Sequence, residues 1–117
     1  MTRRWPRRRV VITVCPRECG VAVLPVEPGG PVRRLDARAI MRVLQDLVKR
    51  RRLGGRVQIR DGCAGGCGGR GPNVGVTLYP IPRPGERQDA VAVGWRTYVG
   101  TLATLACLSR VIDDNLT

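Results

Sequence analysis

The chain has 117 residues, which is long enough for a single domain with its own core. Its hydrophobic content of 43% argues against intrinsic disorder. Its formal net charge of +12 comes almost entirely from arginine and favours an acidic protein, a nucleic acid or an anionic surface as partner. Phenylalanine is absent and aromatic residues make up only 3%, so we expect an aliphatic core and no base-stacking platform for nucleic acid.

Residues 1–9 are arginine-rich and predict a basic, solvated tail, followed by one domain over residues 10–117. The apolar run Val10–Val14 behind this tail is too short for the core of a signal peptide or for a membrane span. We therefore expect a protein of the reducing cytoplasm without a membrane span. In that compartment, cysteine pairs hold metal more often than they form disulfides.

The first half of the chain predicts a strand, a long loop and a helix. The β-branched run Val10–Val14 predicts a buried strand that ends at Cys15 and Pro16. The proline- and glycine-rich residues 16–34 predict a loop, which carries Cys19. Apolar residues at helical spacing predict a helix over Leu35–Leu53, with Asp36 as its N-cap and Gly54-Gly55 at its end.

A second strand, Arg56–Arg60, leads directly into a glycine-rich loop that contains Cys63 and Cys67. A crossover helix between two strands of one sheet makes those strands parallel, so their carboxyl ends lie at the same edge. The two cysteine pairs are therefore expected to meet there, although the 43 residues from 20 to 62 separate them.

The remaining elements are predicted as Val74–Tyr79 and Ala90–Trp95, an antiparallel pair, and a helix over Tyr98–Leu116. The first turns of this helix carry no charge, so we expect it to be buried or to contact a second copy of the chain. Cys107, among apolar residues of the helix, is expected to be a buried, inert thiol. Trp95 and Tyr98 are expected to close the core.

The elements together predict an α/β fold in the order β-α-β-β-β-α, with one four-stranded mixed sheet and two main helices. Cys15 and Cys19 have the same spacing as Cys63 and Cys67, and the second pair lies among six glycines in residues 61–72. Four thiolates can bind one [2Fe–2S] cluster, to whose sulfides a glycine-rich backbone can donate hydrogen bonds. Arg17, Arg60 and Arg70 flank the cysteines and would raise the reduction potential if they faced the cluster.

Two other cysteine chemistries stay open. Four cysteines can also hold structural zinc, but the pairs of zinc ribbons are usually about 15–20 residues apart. Redox-active dithiols usually have the spacing Cys-x2-Cys at the start of a helix, which neither pair shows. The sequence therefore favours iron and sulfide over both alternatives.

The second cysteine pair, followed by Gly71-Pro72 and by a strand that ends in Tyr79-Pro80, resembles the thioredoxin-like [2Fe–2S] ferredoxins. The resemblance covers most of residues 10–110. It implies a thioredoxin-like fold, Cys15, Cys19, Cys63 and Cys67 as ligands of a [2Fe–2S] cluster, one-electron transfer and often a homodimer. The loop between Cys67 and Gly71-Pro72 is two residues longer than in the tightest family pattern.

The first functional hypothesis is accordingly a ferredoxin-like electron carrier whose redox partner is acidic, with nucleic acid as an unlikely partner. The alternative is a zinc- or cluster-stabilised binding module that uses its basic surface on an acidic protein or a nucleic acid. An enzyme is not expected. The chain contains no histidine, no Walker loop and no carboxylate pair within a glycine-rich site.

Overall fold

The structure is a computed structural model that describes residues 8–17, 20–63, 72–80, 85, 94–99 and 107–116. These residues form six strands and two helices. In chain order they are β1 (Arg8–Val14), β2 (Ala22–Pro25), β3 (Val32–Leu35), α1 (Ala37–Arg50), β4 (Val57–Asp61), β5 (Asn73–Pro80), β6 (Gly94–Val99) and α2 (Ser109–Leu116).

The main sheet has four strands in the order β4-β1-β5-β6. Strand β1 pairs with β4 in parallel and with β5 in antiparallel orientation, and β6 runs antiparallel to β5. This confirms the predicted mixed four-stranded sheet with two main helices. The β-branched run of β1 fits a central strand, since such strands are buried and read as nearly continuous apolar sequence.

The inner face of the sheet, as we call the face that contacts α1 and α2, forms the hydrophobic core. Alternate residues of a strand lie on the same face. Val10, Ile12 and Val14 of β1 therefore share one face and belong to the same buried cluster as Leu44 of α1 and Ile112 of α2. In the described part of the chain, no helix lies on the opposite side, which we call the outer face.

Strand β1 begins at Arg8, so Arg8 and Arg9 belong to the sheet rather than to the predicted basic tail. The reason is the pairing with β5, in which Arg9 lies opposite Tyr79. The guanidinium of Arg9 sits over the Tyr79 ring, 4.7 Å from its centroid, and this contact stabilises the start of the strand. Residues 1–7 lie outside the described residues.

Helix α1 begins as its capping residue predicts. The Ala39 N–H donates to Asp36 Oδ1 over 2.8 Å, so Asp36 is the N-cap. Ile40, Leu44 and Leu47 are buried at helical spacing, which explains why this segment forms an amphipathic helix on the sheet. The helix is shorter than the predicted Leu35–Leu53, because Leu35 belongs to β3.

The predicted end of α1 at Gly54-Gly55 is wrong, because the chain leaves the helix earlier, at Arg52. Arg52 has φ 55°, a left-handed conformation that favours glycine. The Arg52 N–H donates to the Lys49 carbonyl oxygen over 3.2 Å, and the Leu53 N–H to that of Val48 over 2.9 Å. These two bonds form a Schellman motif with an arginine at the position that glycine usually occupies.

Replacing Arg52 by glycine is therefore expected to stabilise the protein by about 1 kcal/mol, because a side chain in the left-handed region costs about that much. In a thermal melt this corresponds to an increase in Tm of about 4 °C. Arg52→Ala is the control, since it removes the charge but keeps the Cβ. An equal gain in both variants would show that charge, not backbone strain, is responsible.

The prediction of a loop over residues 16–34 is wrong from residue 22 onwards, where the hairpin β2–β3 begins. Ala22 pairs with Leu35 and Leu24 with Arg33. The turn between the strands uses Gly29, at φ 73°, and a bond from the Gly30 N–H to the Glu27 carbonyl oxygen. The two strands are short and β2 ends in proline, so the alternation of buried and exposed residues was too brief to predict a strand. Ala22 and Leu24 are nevertheless buried in the core.

The C-terminal elements differ from those predicted. Strand β6 covers Gly94–Val99 instead of residues 90–95, and α2 covers Ser109–Leu116 instead of residues 98–116. Tyr98 and Val99 extend the strand, because they pair with Val74 and Asn73 of β5. Residues 90–93 and 100–106 lie outside the described residues.

The expectation that Trp95 and Tyr98 both close the core holds only for Tyr98. Tyr98 packs against the core cluster, and its hydroxyl accepts a hydrogen bond from Asn115 Nδ2 over 3.2 Å. Trp95 is 74% exposed. It pairs with Thr77, which in turn pairs with Val11 of β1, and these three residues lie on the outer face. Strand alternation, rather than size, decides which of the two aromatic rings is buried.

Candidate metal centre

The ends of β1 and β4 bring the two candidate cysteine loops to one edge of the sheet. Val14 pairs with Asp61, and the Gly62 N–H donates to the Val14 carbonyl oxygen over 3.1 Å. Cys15 follows directly after β1, and Cys63 follows β4 after one glycine. The prediction that the two strands are parallel and end at the same edge is confirmed.

Cys15 and Cys63 line the same cleft, which has a volume of about 330 Å³. The other described residues of its lining are Pro16, Arg17, Asp61 and Gly62. Cys15 is buried, with 6% of its surface exposed, whereas Cys63 is exposed. A group bound by both thiols would therefore be shielded by protein on the β1 side and be close to solvent on the β4 side.

Gly62, which links β4 to Cys63, packs closely against Thr13 of β1. A Cβ on this residue would lie 3.3 Å from Thr13 Cγ2, closer than most such contacts in proteins. Thr13 is buried and also accepts a hydrogen bond from Arg60 Nε over 3.3 Å. These contacts join β1 and β4 immediately before the two cysteines.

The three arginines expected beside the cysteines differ in position. Arg17 lines the cleft, together with the carboxylate-bearing Asp61. Arg60 instead belongs to the outer face, where it bonds Thr13. Arg70 lies outside the described residues. Arg17 is consequently the one described arginine of these three that can add positive charge to the cleft itself.

Cys19 and Cys67 lie outside the described residues. Of the four predicted ligands, the structure therefore describes Cys15 and Cys63. Within the described ranges, three or more His, Cys, Asp or Glu side chains do not converge in a way that could hold a metal ion. The possible donors among the described residues of the cleft are the sulfurs of Cys15 and Cys63, at adjacent strand ends, and the carboxylate of Asp61. Thiolates are the ligands of iron–sulfur clusters and of structural zinc, so this donor set fits both.

Cys107 is buried, as predicted, but it precedes α2 instead of lying within a helix. Its Sγ lies 3.3 Å from Ser109 Oγ. It is not among the described residues that line the cleft. This position is consistent with a packed thiol that takes no part in metal binding.

Asp61 and the outer-face residues around Arg60 were not singled out from the sequence. Asp61 is the last residue of β4, and a polar side chain at the carboxyl end of a parallel strand was the available signal. The outer-face position of Thr13 and Arg60 follows from strand alternation once β1 and β4 are known to pair in register.

Comparisons of the chain with family models, with curated proteins and with solved structures find no match. Neither helix in the described part of the chain has the length and apolar character that crossing a bilayer requires.

Proposed function

We propose that Cys15, Cys19, Cys63 and Cys67 bind one [2Fe–2S] cluster and that the protein is a ferredoxin-like carrier of single electrons. One observation supports this most strongly. Cys15 and Cys63, which are far apart in the chain, line one cleft at the edge where two parallel strands end. Each of them is the described member of a Cys-x3-Cys pair. With Cys19 and Cys67 as the other members of these pairs, the four thiolates that a cluster needs would be supplied.

The order and orientation of the strands and helices support the proposal that the domain is thioredoxin-like. A β-α-β unit with parallel strands (β1, α1, β4) is followed by an antiparallel pair (β5, β6) and a helix (α2). The resemblance to the thioredoxin-like [2Fe–2S] ferredoxins implies this succession of elements. The hairpin β2–β3 is an addition between the first cysteine pair and α1.

A bound cluster would supply the site for one added electron. The protein residues tune how easily that electron is accepted. Burial of Cys15 limits access of water on one side, and the positive charge of Arg17 favours the more negative, reduced state. Asp61 has the opposite effect, so the balance of Arg17 and Asp61 contributes to the reduction potential.

The same residues support a carrier rather than an enzyme. The chain has no histidine, and the described lining of the cleft contains no serine, threonine or lysine that could act as a nucleophile beside the cysteines. A cluster of this type needs reduced cysteines, so we place the protein in the cytoplasm. The resemblance adds a homodimer as the expected assembly.

The decisive experiment is the analysis of protein purified without oxygen. We expect about two irons and two acid-labile sulfides per chain, visible absorption that bleaches with dithionite, and an EPR signal of the reduced protein at low temperature. Stoichiometric zinc without sulfide would overturn the proposal. It would favour the alternative, a zinc-stabilised module whose basic surface binds an acidic protein or a nucleic acid.

A further inference from the structure

A second groove, with a volume of about 220 Å³, lies on the outer face of the sheet beside the cysteine edge. Thr13 and Gly75 pair with each other across β1 and β5 and are both part of its lining. Arg60 on β4 and Trp95 on β6 line it from the two edge strands, and both are exposed. Glycine at position 75 leaves the centre of the groove without a side chain.

Cys63 belongs to both depressions. It lines the cleft that it shares with Cys15, and it also lines the outer groove. A molecule seated in the groove would therefore be next to one of the proposed cluster ligands. Because Cys63 is itself exposed, no thick layer of described residues separates it from such a molecule.

The described part of the outer face is positively charged. Strand alternation and register assign to it Arg9, Val11, Thr13, Gln58, Arg60, Gly75, Thr77, Tyr79, Trp95 and Thr97. Two of these residues are arginines and none is acidic. Among the described carboxylates, those of Glu27, Asp46 and Asp113 pair with arginines elsewhere in the molecule.

Arg60 and Trp95 are also the residue types that most often dominate protein–protein binding. Arg60 donates its Nε–H to Thr13, and a guanidinium has further N–H donors that can bind a carboxylate. Trp95, at 74% exposure, presents a large apolar surface beside it. By contrast, single-stranded nucleic acid needs several stacking rings, and here the Tyr79 ring already contacts Arg9.

We propose that the outer groove is the docking surface for an acidic redox protein, whose carboxylates bind Arg60 and whose apolar surface packs on Trp95. With the proposed cluster bound, Cys63 would hold it next to the docked partner, and the one electron lost by the reduced cluster would be gained by an oxidised haem or flavin of that partner. Docking does not depend on which metal the cysteines hold, whereas the electron transfer rests on the proposed cluster.

The test uses cytochrome b5, an acidic haem protein that accepts one electron, and cytochrome c, a basic one, as the opposite-charge control. Binding to the oxidised protein is measured by calorimetry at several salt concentrations, and haem reduction by stopped flow. We expect Arg60→Gln and Trp95→Ala each to weaken cytochrome b5 binding about tenfold. Only Arg60→Gln should also lower the salt dependence, since it removes a charge.

Arg42→Gln is the matched control, because Arg42 is an exposed arginine on α1, the helix that packs on the inner face. It should bind cytochrome b5 like the parent protein. Equal weakening by Arg42→Gln would indicate general charge attraction and overturn the proposal. So would unchanged binding in Arg60→Gln and Trp95→Ala, or tighter cytochrome c binding by the parent protein.

Two further outcomes would assign the groove to another occupant. If Trp95→Ala converts a dimer of the parent protein into a monomer without affecting cytochrome b5, a second copy of the chain covers the groove. If a single-stranded oligonucleotide is released by the same two substitutions and cytochrome b5 does not bind, the occupant is a nucleic acid. Normal docking without haem reduction would leave the docking surface intact and contradict the cluster instead.

Discussion

If the protein binds the proposed [2Fe–2S] cluster, replacing Cys63 by serine is expected to remove most of its iron and sulfide and, with them, the visible absorption. A hydroxyl is a poorer ligand for iron than a thiolate, and the remaining three sulfurs cannot complete the cluster. Cys63 is exposed, so the substitution changes little of the packing that stabilises the fold. Iron, sulfide and absorbance per mole of folded protein measure the effect, with folding checked by circular dichroism.

Cys15→Ser is expected to have the same spectral effect, and Cys107→Ser is the matched control for it. Both positions are buried, so both substitutions put a hydroxyl where a thiol packs. They differ in that Cys15 lines the cleft, whereas Cys107 contacts Ser109. If Cys107→Ser alters the spectrum, or Cys63→Ser leaves it intact, the ligands have been assigned wrongly.

Replacing Leu44 by alanine is expected to lower the free energy of unfolding by about 3 kcal/mol. Leu44 is fully buried in the middle of α1 and belongs to the cluster that joins both helices to the sheet. The substitution removes apolar surface and leaves a cavity between α1 and the sheet. That loss is a large part of the roughly 5–15 kcal/mol that stabilise a typical domain.

Urea unfolding of the metal-free protein measures this effect without the stabilisation that a bound cluster would add. Gln45→Ala is the control on the neighbouring, exposed position of the same helix and should change stability by less than about 0.5 kcal/mol. A similar small change in Leu44→Ala would mean that α1 does not pack on the sheet through this position.

Local patterns were sufficient for the part of the chain that builds the cysteine edge. The β-branched run of β1 and the apolar spacing and Asp36 cap of α1 each specify an element within a few residues. A helical crossover between two strands of one sheet makes those strands parallel, so their carboxyl ends lie at the same edge. For this reason, the meeting of the Cys15 and Cys63 loops could be predicted without coordinates.

Competition between weak local signals explains the errors at the element ends. Gly54-Gly55 is a stronger helix stop by composition than Arg52, yet the chain turns at Arg52. There the Schellman bonds form and Leu53 packs against the core. Similarly, the prolines and glycines of residues 16–34 suggest a loop, but burial of Ala22 and Leu24 stabilises the hairpin β2–β3. Both outcomes depend on packing that no short window of sequence contains.

Residue identities alone therefore determined the types of β1, α1, β4 and β5, the parallel strand pair and the edge that Cys15 and Cys63 share, because these follow from backbone preferences and connection rules. Only the tertiary structure decided which face of the sheet the helices cover, since that depends on contacts between distant segments. It assigned Tyr98 to the core and Trp95 to solvent. It also put Arg60 of β4 and Trp95 of β6 in one groove, a juxtaposition that arises from the order of strands in the sheet rather than from spacing along the chain.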